Sequence, residues 1–483
     1  MKTLDQIRNE RMKKIEILKK AGTNPYPSFN QGKLPIDKSR ELMGKVVQVA
    51  GRVFSLRGHG KLIFADLKDQ TGKIQLMFKF DEMDPKGFED VNLIDMGDFI
   101  YVSGTVTKTV KGEVSILVSS FQFLAKSTHP LPEKWHGLKD VEERYRQRYV
   151  DLLTNEDVRK NFLTRTVVVQ KLRSFLDKEG FIEVETPVLQ LIYGGASAKP
   201  FITHHNVLDC DLFLRISDEL YLKRLIVGGF EKVYEMGKDF RNEGMSRAHN
   251  PEFTMLEFYW AYVDYNRLMD FTEKLISSIV QDLKDGMKVE FSGKTYDFTP
   301  PWERISYKDA MLQYAKLDID QVDTEEKLIE VVKSNHYLPG EKLIGYGQIL
   351  DALYKKMVRP HLEGPLFLTD HPIVMKPLAK SKEDDPTKAA SFQLLVAGDE
   401  FVNAYNELND PQDQKNRWVA EMELGKKGAS DCQMIDEDYI RALEYGMPPT
   451  AGWGLGVDRF VAFLTNQHTI KDIILFPTLK PEK

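Results

Sequence analysis

Cysteine is nearly absent from this chain. Cys210 and Cys432 are its only two among 483 residues, and they lie far apart. That excludes a disulfide framework and a paired-cysteine zinc site, and it fits a reducing compartment. Long apolar runs are also missing. No stretch approaches the about 20 residues of a membrane-spanning helix. The first residues, MKTLDQIRNERMKK, carry no apolar signal core. A soluble, cytoplasmic protein is expected. A large excess of positive charge is missing too. The net charge is −6, so any nucleic-acid contact must come from local basic patches. No fixed-period repeat and no strand–glycine–helix phosphate loop is found, which argues against a Rossmann domain.

Charge set among aromatics stands out instead. The segment from Gly229 to Tyr262 holds Arg241, Glu243, Arg247, His249, Glu252 and Glu257 between runs of Phe, Tyr, Met and Leu. Its apolar residues predict two strands, about Phe230–Phe240 and Phe253–Tyr262. A polar loop with Gly244, Ser246, Asn250 and Pro251 joins them. Buried charge is costly unless it is paired or meets a ligand. The hairpin is therefore a candidate binding site; the plainer alternative is a salt-bridged surface hairpin.

Around it the chain reads in blocks. Residues 1–20 predict an amphipathic helix with Leu4, Ile7, Ile15 and Leu18 at helical spacing. Seven Lys/Arg oppose three acids there, and Arg11 interrupts the apolar stripe. Residues 45–125 predict five short strands, with a small helix near Pro85–Asn92, the pattern of an OB-type barrel. Its first three strands, Lys45 to Lys79, hold seven Lys/Arg against two acids. In that context Phe64 could stack on a base and Gln75 could pair with one. Residues 126–155 combine prolines and dense charge, as a linker would. A helix over about Asp157–Glu179 follows, then an alternating strand broken by Pro187, which belongs at a sheet edge. That edge is a candidate dimer contact. Residues 266–364 are mostly helical without a chemical motif. Near the end, Gly452, Gly454 and Gly456 alternate before Asp458 and Arg459.

Three of these elements resemble one family, the class II aminoacyl-tRNA synthetases. The long helix, strand and Pro187 resemble motif 1. Phe240-Arg241-Asn242-Glu243 resembles motif 2, and Gly452-x-Gly454-x-Gly456-x-Asp458-Arg459 resembles motif 3. The stretches GGASAKPFITHHN, ELYLKRLIVGGFEKVYE, HNPEFTMLEFYWAY, AYNELND and EYGMPPTAG resemble the lysyl-tRNA synthetases within that class. The resemblance spans nearly the whole chain. It implies an α+β fold: an N-terminal five-stranded OB-fold barrel and a catalytic domain with a mostly antiparallel sheet flanked by helices. The expected division is a basic helix and loop at 1–44, an anticodon-binding barrel at 45–125, a hinge at 126–155, and a catalytic domain at 156–483. A helical insertion is expected at about 266–364.

The resemblance also implies the activity: lysine is activated with ATP to lysyl-adenylate and pyrophosphate, then transferred to the 3′ end of tRNA(Lys). It implies a homodimer and Mg2+. Arg241 and Arg459 would be the catalytic cations. Arg241, Glu243, His249, Asn250, Phe253, Glu400 and Arg459 would bind ATP. Gly195, Glu219, Arg241, Glu257, Tyr259, Asn403, Tyr405 and Glu407 would bind lysine. Glu400 and Glu407 would hold magnesium, and Phe64, Gln75 and Glu113 would read the anticodon. An aspartate- or asparagine-specific relative would need a cationic pocket instead, to which Lys223 and Arg224 could contribute. A non-catalytic tRNA-binding paralogue is the other alternative. A relative that lysylates proteins lacks the barrel.

Overall fold

A computed structural model describes residues 2–132, 138–284, 286–338, 344–428 and 433–482. The chain divides into two compact units, Met1–Lys139 and Asp140–Lys483. Among the described residues, no helix is long and apolar enough to cross a membrane. Cys432 lies outside them.

The first unit is a closed barrel of β1 (Val46–His59), β2 (Leu62–Lys68), β3 (Lys73–Lys79), β4 (Phe99–Lys108) and β5 (Val114–Ala125), in the order β1-β2-β3-β5-β4. Alternation along each strand sends Val47, Val49, Leu67, Ile74, Leu76 and Ile116 into a common core. A helix at Pro85–Asp90 lies in the chain between β3 and β4, starting from the Asp84 cap, whose carboxylate accepts from Gly87 N. The N-terminal helix spans Leu4–Lys20 and buries Arg11, Ile15 and Leu18. Arg11 therefore belongs to the inner face it seemed to interrupt. Its Nη1 donates to Ser127 O at 2.8 Å and His129 O at 3.1 Å. Lys126 is buried as well, its ammonium 2.8 Å from Asp95 and 2.6 Å from Asp98.

The second unit is built on an eight-stranded sheet, ordered β14-β15-β16-β17-β18-β11-β10-β6. Its strands are β6 (Ile182–Glu183), β10 (Lys232–Phe240), β11 (Glu252–Ala261), β14 (Glu303–Ser306), β15 (Leu366–Thr369), β16 (Ser391–Val396), β17 (Asp399–Asn406) and β18 (Thr450–Gly456). Only its outermost pairings, β14 with β15 and β10 with β6, are parallel. A small sheet of β7 (Leu189–Gln190), β8 (Ile202–His205) and β9 (Cys210–Leu214), and a hairpin of β12 (Lys288–Phe291) and β13 (Lys294–Asp297), complete the strands. Helices Glu156–Lys178, Tyr265–Lys284 and Val457–Leu464 contribute Leu172, Leu176, Leu275, Ile276, Phe460 and Val461 to the main core. Such cores supply most of the stability of an amphipathic helix.

Two expected boundaries differ from the structure. The stretch 126–155 is not linker throughout: Val141–Arg146 and Arg148–Thr154 are helices of the second unit. Their charges are internal. Arg148 is fully buried, 2.7 Å from Asp151 Oδ2 and donating to Lys471 O and Leu475 O. Residues 133–137 of that stretch lie outside the described residues. Similarly, 266–364 is not one inserted block. Its first helix packs in the main core and β14 joins the main sheet. Only the part from Tyr307 to Leu362 has an apolar cluster of its own, shared with β15 and β16. Residues 285 and 339–343 lie outside the described residues.

Candidate functional site

The central strands β11, β17 and β18 form one wall of a cavity of about 460 Å³. The alternating glycines explain why a cavity exists there. A Cβ on Gly452 would overlap Glu407 Oε1 and the Tyr259 ring. At Gly195 the backbone has φ +86°, and a Cβ would meet Ser217 and Glu219 within 3.2 Å. Both positions demand glycine for space, and Gly195 for conformation too.

One end of the cavity is an acidic slot. Glu219, Glu257 and Glu407 line it, and all three are buried. Glu257 accepts from Ser217 Oγ and Tyr259 OH, each at 3.1 Å. Tyr405 OH donates to Glu219 Oε2 at 2.7 Å. The spacing of Glu257 and Tyr259 along β11 puts both on one face. Burial pushes the Glu257 carboxyl up to about 8, with Asp239 and Glu219 adding like charge. Lys223 was absent from the expected site. Its ammonium is fully buried against Glu219 Oε1 at 2.6 Å and against Glu407. Helical spacing could have flagged the Glu219–Lys223 pair.

The fold does not bring Glu400 and Glu407, both expected to hold magnesium, together. Glu400 lies at the start of β17 and Glu407 just beyond its end. Seven extended residues span about 23 Å. Glu407 is turned to Lys223, whereas Glu400 Oε2 accepts from Gln393 Nε2 at 2.8 Å. The Gln393 side chain also hydrogen-bonds His371. Gln393 faces Glu400 across the β16–β17 bulge between Leu394 and Leu395, a feature one sequence does not announce.

The other end is cationic. Arg241 leaves β10, lies 5.0 Å over the Phe253 ring and donates to Ile216 O. Arg459, on the helix after β18, donates to Ala248 O, Glu400 O and His249 Nε2. An arginine only donates, so His249 Nε2 is the bare nitrogen and Nδ1 carries the proton toward Ser246 Oγ, 2.8 Å away. Burial and Arg459 lower the His249 pKa, in agreement with a neutral ring. Glu243 lines the same cavity with its side chain exposed. Asn250 also lines it, but its amide is engaged elsewhere: Nδ2 donates to Glu252 O and Oδ1 accepts from Thr478 N. Asp458 binds Arg165 at 2.6 Å and accepts from Thr254 N, tying the first long helix of the catalytic unit to β11.

In the first unit, the outer face of β1–β3 aligns Arg57, Phe64 and Met77 in one row and Ser55, Asp66 and Gln75 in the next. Phe64 is half-buried. Gln75 donates to Glu113 Oε2 at 3.3 Å and accepts from Ser115 Oγ at 2.8 Å. The three expected residues thus share a region. Asp66 was not expected there; its Oδ2 meets Ser55 while Oδ1 is buried without a partner.

Comparisons with known proteins agree with this geometry. Residues 140–480 match the family model of class II tRNA synthetases (D, K and N), and residues 47–124 match an OB-fold nucleic acid binding domain. The chain is 47% identical to a lysine–tRNA ligase of Thermoanaerobacter pseudethanolicus, covering 99% of this chain and 97% of the relative. It is 47% identical to one of Clostridium tetani, covering 99% and 96%, and 46% identical to one of Carboxydothermus hydrogenoformans, covering 99% of each.

Proposed function

The chain belongs to the class II tRNA synthetases, in their lysine-specific branch, and from that premise we propose how its own residues carry out lysine activation. Its activity is the ATP-dependent ligation of lysine to tRNA. In the first step the lysine carboxylate attacks the α-phosphorus of ATP, and the bond to pyrophosphate breaks. No proton moves, because the carboxylate is already ionised at neutral pH. Positioning and charge compensation therefore do the catalysis. In the second step a hydroxyl of the terminal tRNA ribose takes the acyl group and AMP leaves.

One observation carries the reading: an acidic slot and two arginines with no carboxylate at ion-pair distance among the described residues meet in one cavity. Glu219, Glu257 and Glu407 receive the two ammonium groups of lysine, with Tyr259, Asn403, Tyr405 and Gly195 shaping the slot. Arg241 holds the reacting carboxylate and α-phosphate, and Arg459 the terminal phosphate. Phe253 stacks on adenine and Glu243 accepts from its amino group. His249 supports Arg459 beside ATP, while Asn250 fixes the loop that carries them. Glu400 and the Gln393 carbonyl would offer hard oxygens to Mg2+, which would shield phosphate charge when bound. Two protein oxygens suffice, since magnesium keeps waters and phosphate oxygens. A second copy of the chain covers the β6 edge, where Ile182 is exposed.

The aspartate alternative loses its support. Lys223 is neutralised by Glu219 and Glu407, and Arg224 is committed to Asp436 at 2.7 Å. ATP–pyrophosphate exchange with each standard amino acid tests the assignment. Exchange with lysine is expected; exchange with aspartate or asparagine but not lysine would reject it.

Two further outcomes are expected. An ammonium ligand needs Glu257 ionised, so lysine should bind more tightly as pH rises through about 8, with proton release below that value. For the ligand-free protein the sign is opposite. Folded Glu257 keeps a proton that the unfolded chain loses above 4.5, so its contribution to stability falls as pH rises from there through about 8. Calorimetry in buffers of different ionisation enthalpy checks this, and pH-independent lysine affinity would contradict it. In the barrel, Phe64→Ala should weaken tRNA use by about 1–3 kcal/mol and leave adenylate formation intact. Loss of both steps would make Phe64 a folding residue.

A further inference from the structure

Two arginines and two lysines line the cavity among the described residues: Arg241, Arg459, Lys355 and Lys376. Lys355 is paired with Asp351 at 2.7 Å. The other three have no carboxylate at ion-pair distance among the described residues. Two of those three are the arginines already assigned to the phosphates. Lys376 shares their property and has no role in the scheme above.

Its setting is built rather than incidental. Lys376 follows a short 3-10 turn, Ile373–Met375, that starts after Pro372, and Pro377 comes next. Two prolines restrict the backbone on either side. Lys376 N donates to Ile373 O, and Ala379 N donates to Lys376 O. The side chain is half-buried and its Nζ donates to Asn403 Oδ1 at 2.7 Å. Asn403 lies on β17, three residues after Glu400 and four before Glu407, and pairs with Gly454. Glu400, Asp351 and Glu219 act on the ammonium in that order, Glu400 from the nucleotide end and Glu219 from the slot. Lys376 therefore stands between the acid nearest the nucleotide end and the slot that takes the amino acid.

We propose that Lys376 is a further catalytic residue of lysine activation, its ammonium held by Asn403 at the junction where the lysine carboxylate meets the α-phosphate. This rests on the reading of the cavity given above. As the carboxylate oxygen bonds to the α-phosphorus and the bond to pyrophosphate breaks, negative charge crosses this junction. An ammonium there donates hydrogen bonds to the non-bridging oxygens and gives up no proton. It complements Arg241 from the opposite element, the 372–378 turn rather than the β10–β11 hairpin. Burial lowers the Lys376 pKa, and Glu400 and Asp351 oppose that effect. An ammonium that is only partly solvated is a stronger electrostatic partner than one in water.

The test is single-turnover adenylate formation by the full chain, with K376M and K376R beside wild type. K376M should form adenylate about 10- to 100-fold more slowly, somewhat less than the loss of a fully preorganised donor. Its lysine Kd should stay within about twofold, and transfer from preformed adenylate to tRNA should be unchanged. K376R, which keeps the charge, should recover most of the rate. Should K376M fail to fold, K376Q is read in the same way. A K376M or K376Q rate within about twofold of wild type overturns the proposal. So does a rise in lysine Kd that accounts for the whole loss, which would make Lys376 part of the amino-acid slot alone. Wild-type exchange is measured alongside: a wild type silent with lysine would overturn the reading of the cavity, not the placement of Lys376 within it.

Discussion

Arg241→Ala is expected to slow lysyl-adenylate formation by about 10²–10³-fold, equivalent to about 2.7–4 kcal/mol of transition-state stabilisation. The guanidinium rests over Phe253 and, among the described residues, donates only to the Ile216 carbonyl, at 3.3 and 3.4 Å. Those are long, weak bonds, which leaves most of its donors free for phosphate and carboxylate oxygens. The strand pairing Phe240↔Glu252 and Asp239↔Phe253 fixes where the side chain starts. Alanine removes the charge without disturbing that register. Arg241→Lys should rescue little, because a single ammonium cannot reproduce the planar fork. Single-turnover kinetics at saturating lysine and ATP separate this loss from binding. A rate within about threefold of wild type would show that Arg241 only braces the hairpin. Arg459→Ala should cost a similar amount for a less clean reason. Arg459 also ties Ala248, His249 and the Glu400 backbone together, so its removal loosens the loop as well.

What the sequence made legible was local or periodic. Strand alternation located all five barrel strands, and the hairpin around Arg241 was readable because charge sat at the ends of apolar strands. The alternating glycines before Arg459 were readable as a pattern, and at Gly452 only glycine leaves room beside Tyr259 and Glu407. What escaped was long-range pairing. Arg148 and Asp151 looked like linker charge because burial of an ion pair has no sequence signature. Asn250 lines the cavity, but its amide's partners Glu252 and Thr478, 2 and 228 residues away, were not legible. Glu407 looked like the second acid of a metal pair. Its actual charge partner, Lys223, sits on a helix 184 positions earlier and meets it only after the sheet has assembled (407 − 223 = 184).

That pairing yields the largest expected stability effect. Lys223→Met should destabilise the fold by about 3–5 kcal/mol, the usual cost of stripping one partner from a buried ion pair. Methionine fills most of the volume, so the loss is electrostatic rather than a cavity. Glu219 and Glu407 are left beside Glu257 without their internal cation. Burial already drives the Glu407 pKa well above the carboxylate range, and Lys223 opposes that shift. Without Lys223 the cluster must take up a proton, which reduces the negative charge offered to substrate lysine. Added lysine should therefore stabilise the variant, since its ammonium supplies the missing cation, but with weaker apparent affinity at neutral pH. The double variant Lys223→Met/Glu407→Gln should recover about 2 kcal/mol or more of the loss, because the pair is removed rather than broken. Urea unfolding of the four proteins completes the cycle. Stability of Lys223→Met within about 1 kcal/mol of wild type would mean that the acids reach solvent or other partners. The slot would then owe its charge balance to groups other than the buried lysine.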